Sequence, residues 1–151
     1  MVWVGTRKLQ QQVAVGWVYS SQTGVWGDLV STTEPCTGGI SRLSRTFVGN
    51  SLHWLLIGSA VGILRFDLNN QSLTVIDGPP AVPVDSQIQI IRAEDGGLGL
   101  AILSYPSIQL WDCKVDCHGA ATWVPRKTVN MDNMLGQKAD SAHIAGLRRG
   151  C

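Results

Sequence analysis

An aromatic residue followed by a short polar residue occurs three times at nearly constant spacing. The pairs are Tyr19-Ser20, Phe66-Asp67 and Trp111-Asp112, separated by 47 and then 45 residues. Ser and Asp side chains fold back on the local backbone and start turns. Seven positions after the first two aromatics stand Trp26 and Leu73; after Trp111 the matching residue is Trp123, twelve on, so the third unit carries a five-residue insertion. Each unit reads as a β-hairpin: the aromatic ends one strand, polar residues and glycine turn the chain, and a large apolar residue opens the return strand. Self-similarity at this period constrains the fold more than any other feature of the chain.

The flanking segments extend the hairpins. "SLHWLLI" (51–57) and "ILRFDL" (63–68) flank the turn "GSAVG", and "QIQIIRA" (87–93) and "LGLAILS" (98–104) flank "EDGG". "IQLWDC" follows the turn "YPS". Residues 87–125 thus predict four successive strands, residues 45–76 three or four, and residues 1–30 two, with "MVWVG" as a further candidate. No helical period is sustained; "TVNMDNMLGQK" is long enough for one helical turn, and the tail 136–151 has no strand pattern and reads as poorly ordered. Four short antiparallel strands per unit of about 45 residues is a β-propeller blade. A single blade is apolar on both faces, so blades must stack to bury them. The expected fold is all-β: about three four-stranded antiparallel blades of an incomplete β-propeller, over residues 1–135. Tyr19, Trp26, Phe66, Trp111 and Trp123 are the expected packing residues between blades. Closed propellers have about 4 to 8 blades, so three leave the ring open and both end blades exposed. The expectation is therefore a fragment or truncated product of something longer.

Charge agrees with that expectation. Charged residues are 15% of the chain, against about 25% in an ordinary soluble domain, while hydrophobic residues are 44%. Such a surface is covered by a partner or cut from a larger body. The net charge of +1 supplies no footprint for nucleic acid or an anionic membrane. The longest apolar run, 54–64, has eleven residues with two glycines inside, and a span needs about 20. The N-terminus lacks the pattern of a secretory signal. A reducing compartment, cytoplasmic or nuclear, follows as the expectation, with Cys36, Cys113, Cys117 and Cys151 as free thiols. The sequon Asn70-Gln71-Ser72 would then be idle.

Four groups of residues invite a chemical reading. Cys113, Cys117 and His118 form a Cys-x3-Cys-His cluster, but a structural zinc site needs a second ligand pair, and Cys36, His53 and His143 are isolated in sequence. A metal site and a local disulfide are the alternatives to a plain hairpin tip, and the tip is preferred because the tryptophan spacing recurs while the cluster does not. Glu94-Asp95-Gly96-Gly97-Leu98-Gly99 reads as a tight turn, since a dinucleotide loop needs a helix after it and an apolar strand follows. Glu94 and Asp95, being adjacent, point to opposite sides of a strand and do not form an acid–base pair. His53, beside Trp54, reads as a hydrogen-bonded strand histidine, with no nucleophile motif accompanying it. Arg42, Arg45, Arg65, Arg92, Arg126, Arg148 and Arg149 are scattered and do not alternate with aromatics as a single-strand groove requires. No catalytic, cofactor-binding or metal-ligating residue is assigned, and no cofactor is expected. Loops 33–42, 77–86 and 94–97 are the candidate contact segments.

"VYSSQTGVWGDLVST", "VGNSLHWLLIGSAVGILRFDLNNQSLTVID" and the segment from "IRAEDGG" to "NML" carry three motifs: Tyr-Ser-Ser-x-Thr-Gly-x-Trp-Gly, Asn-Ser-Leu-x-Trp-Leu, and Leu-Trp…Trp-Val…Lys-Thr-Val. Over residues 13–135 the chain resembles the C-terminal associated domain of plant F-box proteins, most closely the large group found in grasses. The resemblance implies a kelch-like propeller that presents a protein substrate to an SCF ubiquitin ligase, while a separate F-box helix bundle grips the Skp-type adaptor. Residues 1–12 are too few for that bundle, so the expected partner is a protein substrate of unknown identity, with a link to the ligase only where an F-box is supplied elsewhere. The competing readings are a hydrolase or lyase built on a propeller, and a nonfunctional remnant.

Overall fold

The computed structural model describes residues 1–8, 11–36, 38–118 and 120–135. The chain divides into two compact units, Met1–Gly78 and Pro79–Cys151. The first contains β1 (Val2–Lys8), β2 (Gln12–Ser20), β3 (Val25–Trp26), β4 (Val30–Ser31), β5 (Gly39–Val48), β6 (Ser51–Ile57), β7 (Val61–Asp67) and β8 (Ser72–Asp77). The second contains β9 (Gln87–Arg92), β10 (Leu98–Ser104), β11 (Ser107–Val115), β12 (Ala121–Asn130) and a one-turn helix α1 (Met131–Leu135). The expected tail from residue 136 lies outside the described residues.

Three antiparallel sheets result. The orders are β5-β6-β7-β8 and β9-β10-β11-β12, and in the first sheet β1 pairs with β2 while β3 and β4 both lie along the far edge of β2. β3 and β4 are one interrupted lane. Backbone bonds from Gly27 to Val18, Thr32 to Ala14 and Cys36 to Gln12 carry the chain down the side of β2 between and beyond them. The repeat is visible in the lanes: Tyr19, Phe66 and Trp111 lie on β2, β7 and β11, each the strand before the last of its sheet.

The first two hairpins form as their residues dictate. Tyr19 pairs with Trp26 and Phe66 with Leu73. Asp67 Oδ1 accepts the backbone N–H groups of Asn69 and Asn70 at 2.9 and 3.0 Å, which closes the β7–β8 turn, and Ser20 Oγ accepts from Thr23 N at 3.4 Å. The third unit differs from expectation. Trp111 lies opposite Pro125, and Trp123 opposite Cys113. Asp112 does not turn the chain; it stays inside β11, 3.3 Å from the Arg126 guanidinium. The insertion lengthens both strands, and Asp116 takes over the turn, its Oδ1 accepting from His118 N and Ala120 N at 2.8 and 2.9 Å. A bulge between Leu110 and Trp111 leaves one extra residue on β12 next to Pro125, where a missing N–H costs no ladder bond. Residues 39–42, expected in a loop, belong to β5.

The core of the first unit is a cluster of Ala14, Cys36, Trp54, Leu56, Leu64, Phe66 and Leu73, with Val2, Val4, Val18, Ile40, Leu52 and Val75 packed around it. One face of the β1–β2 sheet thus meets one face of the β5–β8 sheet. Each large side chain buried there contributes roughly 1.5–3 kcal/mol. Phe66 has no exposed surface. Gly16 lies beneath it, where a Cβ would come within 3.0 Å of the Trp3 carbonyl oxygen. Of the five aromatics expected to pack between blades, only Phe66 belongs to this cluster. Trp26 is 47% exposed, and Tyr19, Trp111 and Trp123 are half-buried. In the second unit Ile90, Leu98, Leu100, Ile102, Leu110 and Val129 are buried.

Candidate interaction surface

Strand alternation gives the β1–β2 sheet two unlike faces. Ala14 and Val18 join the core cluster, so Val13, Val15, Trp17 and Tyr19 point the other way. On that outer face the Trp3 and Trp17 rings lie 4.8 Å apart at 48°, and Tyr19 and Trp26 5.3 Å apart at 55°. The Trp3 ring lies over Gly5, where a Cβ would sit 2.5 Å from Cη2, so any larger residue there would have to displace the ring. Trp3, Trp17 and Trp26 border a shallow recess of about 360 Å³. Trp26 itself is 47% exposed on this face.

The repeat explains what kind of surface this is. Tyr19 opposite Trp26 corresponds to Phe66 opposite Leu73. In the second sheet that pair is core, packed toward Ala14 of the first sheet. In the first sheet the corresponding pair faces away from that cluster. The outer face has the composition of a sheet-on-sheet contact. Trp3 and Trp17 were not singled out from the sequence. The signal was present in the near-palindromic "VWVG" and "VGWV", which register Trp3 on Trp17.

The residues weighed for chemistry fall apart in space. Cys113 is buried within β11, while Cys117 and His118 lie at the exposed β11–β12 tip. Among the described residues no group of three or more His, Cys, Asp or Glu is placed to hold a metal ion. Burial pushes the Cys36 thiol up. Glu94–Gly97 is a tight turn: Gly96 has φ 82°, Ala93 N donates to Gly97 O at 2.7 Å, and Asp95 Oδ1 accepts from Gly97 N at 2.9 Å. Lys114 Nζ lies 2.6 Å from Asp95 Oδ2, and this contact, with the Gly97 N–H, holds the Asp95 carboxyl below its usual range. In the 77–86 segment Ala81 and Asp85 have positive φ and Val84 is 90% exposed.

His53 is buried in β6, opposite Thr46 on one side and Arg65 on the other. Burial lowers its pKa to about 4; the Arg65 charge acts in the same direction, and backbone contacts with Thr46 and Ser51 oppose it. The register therefore sets an arginine, not a carboxylate, beside this imidazole. Arg65 is held by Ser51 Oγ at 3.2 Å and by Asp67 at 3.7 Å. Among the described residues no helix is long and apolar enough to cross a membrane.

Three antiparallel four-stranded sheets, none closed, with matching aromatics on matching strands, define a partial β-propeller. A family model described as F-box protein AT5G49610-like, beta-propeller, matches residues 1–146, and the chain belongs to that family. No curated protein and no solved structure matches it.

Proposed function

We propose that the chain is a protein-interaction module: one arc of the substrate-recognition propeller of a plant F-box protein, whose role is to hold a protein substrate for an SCF ubiquitin ligase. Family membership supports the module, and the outer aromatic face of the β1–β2 sheet is the observation that carries the rest. It has the makeup of a packed interface, as a piece of a larger stack requires. The adaptor would be engaged by an F-box outside residues 1–135, so the chain alone is expected to form no micromolar complex with a Skp-type adaptor. The test fuses an F-box to the chain and reconstitutes the ligase. Ubiquitin transfer to a captured protein that stops when the propeller portion is removed supports the reading. Adaptor engagement with no captured protein dependent on this portion refutes it, and so does tight adaptor binding by the chain without an F-box.

A further inference from the structure

The open edge of β1 borders a cleft of about 410 Å³ within the first unit, lined by Val2, Trp3, Val4, Gly5 and Thr6 together with Ile40, Arg42, Arg45 and Trp54. Five consecutive residues of one strand line it, so it follows the strand's edge and not one of its faces. The lane count explains why the cleft exists. In the other two sheets β6 and β10, the counterparts of β1, each pair on their far side with a further strand, β5 or β9, whereas β1 pairs only with β2 among the described residues. The cleft occupies the lane that is missing.

Backbone register shows that the edge is ready to pair. Met1 and Tyr19 exchange both of their bonds, at 2.7 and 3.0 Å. Alternation then directs the bonds of Trp3, Gly5 and Arg7 toward β2 and presents the N–H and C=O groups of Val2, Val4 and Thr6 at the open edge. The far wall has a charge of one sign. The β5–β6 register jumps from Ile40 opposite Leu56 to Arg45 opposite Trp54, so an irregular segment bulges from β5 and sets Arg42 and Arg45 along the cleft. No lining residue is acidic, and neither guanidinium has a carboxylate partner among the described residues. Ile40 and Trp54 supply an apolar floor.

We propose that this cleft binds an extended acidic peptide of a partner protein, which adds to β1 as a strand and places carboxylates against Arg42 and Arg45. Main-chain bonds to Val2, Val4 and Thr6 supply affinity, and the guanidinium pair, which takes carboxylates in a fork, supplies the choice of sequence. Five paired residues span roughly 17 Å, so one short segment suffices. The chain's own residues 136–151 do not match, because they carry Lys138, Arg148 and Arg149 against the single Asp140. This proposal deepens the interaction-module reading by naming the partner's chemistry, and it rests on that reading.

The test uses the full chain and fluorescent peptides of about ten residues that alternate Val with Glu, or Val with Lys, with a proline-interrupted Glu peptide as control. Anisotropy should show the Glu peptide binding with salt sensitivity, and weakening roughly tenfold in the Arg42→Ala/Arg45→Ala variant. Amide exchange supplies the readout a structural role would not move: Val2, Val4 and Thr6 should exchange freely in the isolated chain and become protected with the Glu peptide. Equal binding of the Lys peptide, unchanged affinity in the arginine variant, or protection confined to other strands overturns the proposal. Concentration-dependent protection of the same three amides without peptide would assign the cleft to a second copy, and also overturns it. These failures leave the module reading standing if the reconstituted ligase still captures a substrate through this chain.

Discussion

Replacing His53 by glutamine should remove a specific acid sensitivity of the first unit. The imidazole is 4% exposed, and its folded-state pKa is about 4, against 6.5 for the free side chain. The sign follows from linkage. Below pH 6.5 the unfolded chain takes up a proton that the folded chain refuses until about pH 4, so stability contributed by the neutral form is present above 6.5 and lost as pH falls. The full gap of 2.5 units corresponds to about 3 kcal/mol at 1.36 kcal/mol per unit. At about pH 4.5, where the folded imidazole is still mostly neutral, roughly 2–3 kcal/mol of it has gone. Urea unfolding followed by tryptophan fluorescence, at about pH 7.5 and about pH 4.5, gives the two stabilities for wild type and His53→Gln. Carboxylate protonation affects both proteins alike, so the difference between them isolates the histidine. The wild type should lose roughly 2–3 kcal/mol more than the variant. Parallel pH dependences refute the reasoning, as does an imidazole that titrates near 6.5 by NMR in the folded wild type. If glutamine is not accommodated, His53→Leu carries the same comparison.

Phe66→Ala should destabilise the first unit by about 3–5 kcal/mol, because the ring is fully buried among Leu64, Leu73 and Ala14; a loss under about 1 kcal/mol in a urea titration contradicts its place in the core. Trp26→Ser, at the corresponding partner position of the first sheet, should cost only about 1 kcal/mol in a urea titration, the value of its contact with Tyr19; a cost equal to that of Phe66→Ala would show the outer face to be core. Iodoacetamide on the native chain should label Cys117 long before Cys36 or Cys113, since Cys117 is exposed, Cys36 and Cys113 are buried, and burial holds the Cys36 thiol protonated; equal labelling by peptide mapping refutes the burial pattern.

The lanes were legible in the sequence because hydrophobic alternation and turn chemistry act locally. "SLHWLLI" and "LGLAILS" form strands with the expected ends, and Asp67 closes its turn as its side chain predicts. What escaped depends on pairing between distant segments. The β11–β12 insertion could have lengthened the loop or the strands, and the choice lay in cross-strand contacts such as Asp112 with Arg126, invisible to spacing. Arg42 and Arg45 read as scattered charges because the bulge that aligns them exists only once β5 pairs with β6. The 33–42 segment carries glycines and a proline, which favour a loop, yet residues 39–42 are strand, with Gly39 and Ile40 paired to β6.

The low charge fraction of the chain has a location. The β1–β2 sheet carries apolar residues on both sides: Val2, Val4, Val18 and Ala14 on the side that meets the second sheet, and Trp3, Trp17 and Tyr19, with Val13 and Val15, on the other. On the second side the rings cover part of one another in tilted pairs, and the Trp3 ring lies close to Gly5. The repeat turns this into an argument about order. Phe66 shows which face of a sheet receives its neighbour, and Tyr19, its counterpart one unit earlier, presents the same face with no sheet against it among the described residues of its unit. The edge of β1 tells the same story in backbone groups: among the described residues no strand fills beside it the lane that β5 and β9 fill elsewhere. Face and edge of one sheet are therefore both without a partner among the described residues of its unit. The two openings differ in what they can accept. An aromatic face selects another sheet by shape and area, whereas an edge flanked by Arg42 and Arg45 selects a strand by its charge.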